Sequence, residues 1–382
     1  MRKLHVHIGH HFFGSGNIGD DLMLAGFLEA AGAAALDRVR LTCCTANDAG
    51  SQILRFPQVE WLPYLPASRL ACIERCDAWL GLGDTPFQAT GGQTWFLDHL
   101  CQEAQWCRQC GVPMFYLGVG VNERAAVEYP QTRILVTQAE RIWMRDENSL
   151  DLLGPLAAPG KVTAHADLAH PALAAMHFPP PKPRTLAFVL NFEDPAQFRL
   201  DQLASLIRAA DAGQVRWLAQ EVRPLPGSET VLHRALPEDA RARAPLLSPP
   251  YATATSARAL LAGWVEVGAL FTSRYHAALT GAWMGARVAI FPRSAKVAGA
   301  GRQLGLPAVA TIDDASTILE TVRDARPVDR RLLLDLAARA RDACMDFLAA
   351  IPPSRATLRF FPHPVAVGSS AAAWGVPSAS FA

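Results

Sequence analysis

Short apolar runs alternate with Leu- and Ala-rich helical stretches along almost the whole chain, and one proline cluster interrupts them. The spacing predicts strands over 4–8, 39–43, 78–81, 114–119 and 142–144, with helices over 22–36 and 94–110, the latter closed by Gly111. Phe178-Pro179-Pro180-Pro181-Lys182-Pro183 then breaks the rhythm, because proline fixes its own φ and restricts the residue before it. Beyond it the pattern resumes. Strands are expected over 185–191, 215–219, 268–272 and 287–291, and helices over 200–210, 254–264, 276–284, 295–304 and 330–351. Alternating strands and helices imply mainly parallel sheets covered on both faces. The expected architecture is therefore two α/β halves facing across a cleft. The N-terminal domain would span 1–177, a proline-rich linker 178–184, the C-terminal domain 185–351 and a loosely held tail 352–382.

Composition narrows the class. Half of the 382 residues are hydrophobic, enough to build real cores. Thirty-six Lys and Arg against 35 Asp and Glu leave a net charge of +1, which gives no long-range attraction to nucleic acid or an acidic membrane. No apolar run is long enough to span a bilayer; Glu266 and Arg287 interrupt the most hydrophobic stretches. After Met1-Arg2-Lys3, the residues His5, His7, His10 and His11 occupy what would be the apolar centre of a secretory signal. Eight irregularly spaced cysteines fit a reducing compartment better than a disulfide scaffold. The expectation is a cytoplasmic protein, with loose attachment to the inner face of a membrane through the last helix or tail left open.

Three segments stand out as chemistry-bearing. Thr272-Ser273-Arg274-Tyr275-His276 and Phe291-Pro292-Arg293-Ser294-Ala295-Lys296 both lie where a strand ends and a helix begins. In open α/β sheets that edge forms the ligand crevice. From Val267 to Ile312 there is no Asp or Glu, while Arg274, Arg287, Arg293, Lys296 and Arg302 fall inside the window. With helix N-termini nearby, such cations would make a local anion site, unless they face solvent or pair with distant acids. Met144-Arg145-Asp146-Glu147-Asn148-Ser149 ends a strand of the first half, and Arg145 is expected to enter the cleft from that side. Gly14-Ser15-Gly16-Asn17-Ile18-Gly19-Asp20-Asp21 reads equally as a tight turn or a ligand cradle. It has neither dinucleotide-fingerprint nor Walker spacing.

Metal readings find little support in spacing. Cys107-Arg108-Gln109-Cys110 is a single isolated pair, whereas zinc needs four converging ligands, and the four N-terminal histidines have no acidic partner at matching spacing. No metal and no cofactor are expected. A catalytic or acceptor-binding role is open to His10 or His11, and no G-x-S-x-G elbow supports an esterase triad.

Taken in order, several pieces resemble the polysaccharide pyruvyl transferase family. They are Gly16-Asn17-Ile18-Gly19-Asp20-Asp21 with Leu24, Gly81-Leu82-Gly83-Asp84 with Phe87-Gln88, the segment 113–120, Arg145-Asp146-Glu147-Asn148-Ser149, Ala166-Asp167, and Ser273-Arg274-Tyr275-His276-Ala277 with Lys296. The resemblance runs to about Ile351. Leu82, Asp84-Thr85-Pro86, Gly91-Gly92 and Tyr275 depart from the family pattern, which leaves the acceptor undefined. The resemblance implies a glycosyltransferase-B-like fold of two Rossmann-like domains, an acceptor side in the first and a phosphoenolpyruvate side in the second. It implies transfer of the pyruvyl group of phosphoenolpyruvate onto two hydroxyls of a sugar acceptor, lipid-linked or not, with release of phosphate. Arg145, Arg274 and Lys296 would then bind the donor, Gly16, Asn17 and Asp20 would contact substrate, and Arg274 and His276 would be catalytic, His276 as general acid.

Two other readings share this scaffold. One is a nucleotide-sugar glycosyltransferase, which commonly places a carboxylate on the ribose hydroxyls; the acid-free window argues against it. The other is an idle saccharide-binding protein that retains the cleft.

Overall fold

The computed structural model describes residues 2–9, 13–14, 16–45, 56–88, 94–192, 199–223 and 225–352. The expectations placed on His10, His11, Ser15, Gly91, Gly92 and the tail beyond Pro352 lie outside the described residues.

The first lobe carries β1 (Leu4–Ile8), α1 (Ile18–Leu36), β2 (Val39–Thr45), β3 (Val59–Pro63), α2 (Pro66–Arg75), β4 (Ala78–Leu82), α3 (Trp95–Cys110), β5 (Met114–Val119), α4 (Pro130–Gln138), β6 (Ala139–Met144), α5 (Glu147–Leu153), β7 (Val162–Ala164) and α6 (Ala169–Ala175). The second carries β8 (Lys182–Val189), α7 (Leu200–Ala209), β9 (Gln214–Leu218), α8 (Glu229–Ala235), α9 (Glu238–Arg243), β10 (Leu246–Leu247), α10 (Ala257–Leu260), β11 (Val267–Thr272), α11 (Tyr275–Trp283), β12 (Arg287–Ile290), α12 (Ala295–Leu304) and α13 (Ala315–Asp324). A last helix, α14, spans Arg330–Ala350.

The strands form two sheets, ordered β3-β2-β1-β4-β5-β6-β7 and β10-β9-β8-β11-β12. Every pairing is parallel. Strands β5 and β11 are buried at every position, as expected where helices cover both faces of a sheet. Strand order reverses direction between β1 and β4, and again between β8 and β11. Each reversal opens a crevice at the carboxyl ends of the strands, the usual ligand position in such sheets. Two α/β halves are thus present as the alternation implied. No helix among the described residues is long and apolar enough to cross a membrane.

Two details differ from the linear reading. Strand β8 starts at Lys182, inside the segment expected to link the domains, and the Lys182 ammonium pairs with Glu266 at 2.8 Å. Helix α14, assigned by position to the C-terminal domain, packs against α1, α6 and β5 of the first lobe. Its buried residues Leu333, Leu336, Ala337, Ala340, Ala343, Cys344 and Phe347 form one apolar stripe. The Phe347 ring lies 6.2 Å from Phe27, 5.5 Å from Phe115 and 6.2 Å from Trp143, all in the first lobe. An amphipathic helix docks where an apolar groove accepts it, and position in the chain does not decide which lobe supplies that groove.

Candidate functional site

The segment after β1 is stitched to the end of β9 in the other lobe. Asn17 caps α1, its Oδ1 accepting from the Gly19 amide at 2.9 Å and from Gln220 Nε2 at 3.1 Å. The Ile18 amide donates to the Gln220 carbonyl at 2.9 Å, and the Val222 amide to the Gly16 carbonyl at 2.9 Å. Gly16 has φ +93°, and a Cβ there would lie 2.4 Å from Val222 Cγ2, so both conformation and space require glycine. Gly19 faces α11: a Cβ there would sit 2.3 Å from His276 Nδ1. The N-termini of α1 and α11 therefore meet between the lobes.

Carboxylates gather at this junction. Asp20 and Asp21, in the first turn of α1, are both buried. Asp21 accepts from the Gly14 amide at 2.9 Å and from the Tyr251 hydroxyl of the second lobe at 2.5 Å. Burial nevertheless pushes its carboxyl up to about 7, the two hydrogen bonds pulling the other way. Asp20 is raised well above the ordinary carboxylate range, first by burial and then by the charges of Asp84, Asp21 and Glu221, with Arg223 opposing. Asp84, just past β4, adopts a left-handed backbone with φ +57°, a strained conformation for a residue with a Cβ.

A second group lies beside it. The Arg145 guanidinium is buried and stacks 4.4 Å from the centroid of the Tyr275 ring. It lies 3.7 Å from an Asp167 carboxylate oxygen, and His276 Nε2 lies 3.5 Å from the same oxygen. Burial disfavours the Asp167 carboxylate, yet His276 and Arg145 outweigh it and hold the group below its usual range. Asp167 Oδ2, His276 Nε2, and Arg145 Nε and Nη2 are buried with no hydrogen-bond partner among the described residues. Behind them Trp283 Nε1 donates to His170 Nδ1 at 2.9 Å, again across the lobes. Arg145, Asp167 and His276 thus come together.

Arg274 does not behave as expected. Its Nε donates to Glu229 Oε1 at 2.6 Å, and its Nη2 to Glu229 Oε2 at 3.1 Å and Glu221 Oε2 at 3.4 Å. Glu229 is fully buried and Glu221 nearly so. The acid-free window therefore does not leave a free cation at this point: its acids come from the connection after β9. Arg287 lies at the other end of its strand, bonded to the carbonyls of Arg323 and Pro183 at 2.9 and 3.3 Å. Arg293 donates to the Ser273 carbonyl at 3.3 Å. Lys296 is half-buried in the first turn of α12, whose start follows β12 at the crevice edge.

Glu221, Glu229, Gln220 and Tyr251 were missed by the sequence reading. One signal was present: Glu221 lies three residues past the end of β9, so the crevice rule applied to that strand would have selected it. Tyr251 lies in a loop between elements and carries no such signal.

Neither a family model nor a curated protein matches the sequence. Solved structures do match in fold. The UDP-N-acetylglucosamine 2-epimerase from Rickettsia bellii superposes with a TM-score of 0.57 at 11% identity, over 91% of this chain and 95% of the other. S. aureus MnaA, solved with UDP, gives 0.55 at 9% identity over 93% and 99%. Anabaena HepE, solved in complex with UDP-glucose, gives 0.52 at 9% identity over 90% and 95%. The fold is glycosyltransferase-B-like, as the resemblance implied. The expected activity is corrected. These three structures are a UDP-N-acetylglucosamine epimerase and proteins solved with UDP or UDP-glucose, none of them a pyruvyl transferase, and phosphoenolpyruvate finds no support as a ligand. The structure gives a physical reason: Arg274, cast as the carboxylate or phosphate hook, is held by two carboxylates of its own chain.

Proposed function

We propose that this protein is an enzyme acting on nucleoside-diphosphate sugars, transferring the glycosyl group to an acceptor hydroxyl. The observation that carries the reading is Asp20, buried where the crevices of the two sheets meet, with its carboxyl raised by burial and by Asp84, Asp21 and Glu221. A carboxylate made more basic in this way is suited to take a proton from a hydroxyl. The hydroxyl oxygen then bonds to the anomeric carbon, the bond from that carbon to the phosphate oxygen breaks, and the nucleoside diphosphate leaves with the electron pair.

The second lobe suits that leaving group. The caps of α11 and α12, Arg274 and Ser294, make no side-chain cap bond, and neither first turn contains an acid. The first-turn amides of these helices, with Lys296 of α12, would receive the diphosphate. Glu221 supplies the carboxylate that such a site commonly turns toward ribose hydroxyls. The likeness to proteins solved with UDP or UDP-glucose agrees with this donor class.

The test is calorimetric binding of UDP-glucose, UDP-N-acetylglucosamine and GDP-mannose, followed by turnover of whichever binds. Asp20→Asn should lower turnover about 10²–10⁴-fold, the usual span for a lost general base, while donor affinity stays within a few-fold. Wild-type turnover should rise with pH through a pKa above the ordinary carboxylate range. If no nucleotide sugar binds, or one binds and is never cleaved with any acceptor, the reading is wrong.

A further inference from the structure

The histidines of β1 have no acidic partner at matching spacing in the sequence; for His7 the fold supplies cysteine partners from two other elements. His7 of β1, Cys44 of β2 and Cys72 of α2 are all buried, and one ligand atom from each lies within 4.8 Å of the others. Among the described residues no other group of three His, Cys, Asp or Glu converges so closely. Thirty-six residues separate the first two ligands and 27 the next two, so no short motif marks the site. Strand register explains the arrangement. His7 pairs with Thr42, and alternation along β2 brings Cys44 to the same face as Thr42. Helix α2 packs against β1 and β2, bringing Cys72 onto that face.

Hydrogen bonds orient the β1 histidines. His5 Nε2 lies 2.9 Å from Thr42 Oγ1, and His7 Nδ1 lies 3.1 Å from the same hydroxyl. His7 Nε2 is fully buried and has no hydrogen-bond partner among the described residues. Outer hydrogen bonds that orient an imidazole and expose one nitrogen are the usual support of a histidine ligand.

We propose that His7, Cys44 and Cys72 bind a thiophilic d10 cation, zinc by charge balance, with the fourth zinc position left to a water or another exogenous ligand. Two thiolates and a neutral imidazole around a dication sum to zero charge, which removes most of the cost of burying an ion. The ligand set is two soft sulfurs and one nitrogen, the donors that zinc and copper(I) share. The site ties α2 to the β1–β2 pair, away from the interlobe crevice, so it stands apart from the proposed activity.

The test uses untagged full-length protein, stripped with chelator under reducing conditions and reloaded with zinc, cobalt(II) or, anaerobically, copper(I). After desalting, one zinc per chain by mass spectrometry is expected, together with a thiolate-to-metal charge-transfer band in the cobalt form. Cys44→Ser and Cys72→Ser should each weaken zinc binding at least tenfold and lose that band, with unchanged circular dichroism. Cys107→Ser, outside the cluster, should leave both intact and so exclude a site at the C-x-x-C pair. Stoichiometric copper(I) in place of zinc, lost in the same variants, upholds the site with the other d10 ion. Metal at wild-type stoichiometry in the Cys44→Ser/Cys72→Ser double variant, or a wild type that shows neither the cobalt thiolate band nor stoichiometric copper(I), overturns it.

Discussion

Replacing Glu229 by Gln isolates the most consequential contact at the crevice. The substitution keeps size and shape, removes one negative charge, and turns one of two oxygens facing the Arg274 guanidinium into an NH2 group. Glu229 is fully buried and the Arg274 side chain is 14% exposed, so neither is well hydrated. Leaving one member of a buried pair uncompensated costs about 3–5 kcal/mol. Glu221 remains at 3.4 Å and the guanidinium keeps slight exposure, which places the loss near about 3 kcal/mol. For a lobe of this size that corresponds to a fall in melting midpoint of roughly 6–12 °C. Thermal unfolding followed by circular dichroism at pH 7 and moderate salt would read it. The double variant Glu229→Gln/Arg274→Gln removes both charges and should recover most of the loss, because two amides can pair where one lone cation cannot. An unmoved midpoint in the single variant, or a double variant that loses the sum of both singles, refutes the view that Arg274 is neutralised from within.

Other expectations follow from the same geometry. Tyr251→Phe removes the 2.5 Å bond to Asp21, whose carboxyl is raised from 3.8 to about 7. A raised folded-state value means that stability from this group declines as pH climbs from about 4 to about 7 and is flat above, by about 4 kcal/mol in all. Urea unfolding should therefore show the variant losing about 1 kcal/mol at pH 5, where Asp21 is protonated, and about 2–3 kcal/mol at pH 8, where it is charged; equal losses at the two pH values would contradict the linkage. Phe347→Ala should destabilise the protein by about 3–5 kcal/mol and expose Trp143 to solvent, read by tryptophan fluorescence, since the ring fills the first-lobe core. Unchanged fluorescence would show that α14 does not seal that core.

Much of the scaffold was legible in the chain. The strand over 4–8 and the helix over 295–304 appear with the bounds read from periodicity, and the helix before Gly111 ends there with that glycine at φ +64°. Buried parallel strands announce themselves as continuous apolar runs, and Gly111 supplies the left-handed turn a helix end requires. Strand β3, with Val59 alone fully buried among its five residues, carries no such run and was not anticipated. The candidate site was legible in part. Arg145, Asp167 and His276 converge because each sits just past a strand at the crevice edge. The charge argument failed at Arg274 because counterions are chosen in space: a window free of acids along the chain lies against Glu221 and Glu229 in the fold. The cluster of His7, Cys44 and Cys72 was invisible for the same reason, each ligand coming from a different element.

The most direct test measures what the purified protein releases from two kinds of donor. A coupled assay would follow UDP or GDP freed from nucleotide sugars across a panel of sugar acceptors, beside phosphate freed from phosphoenolpyruvate. The account predicts nucleoside diphosphate release that Asp20→Asn suppresses, and no phosphate from phosphoenolpyruvate. Acceptor-dependent phosphate release, with every nucleotide sugar left intact, would contradict it.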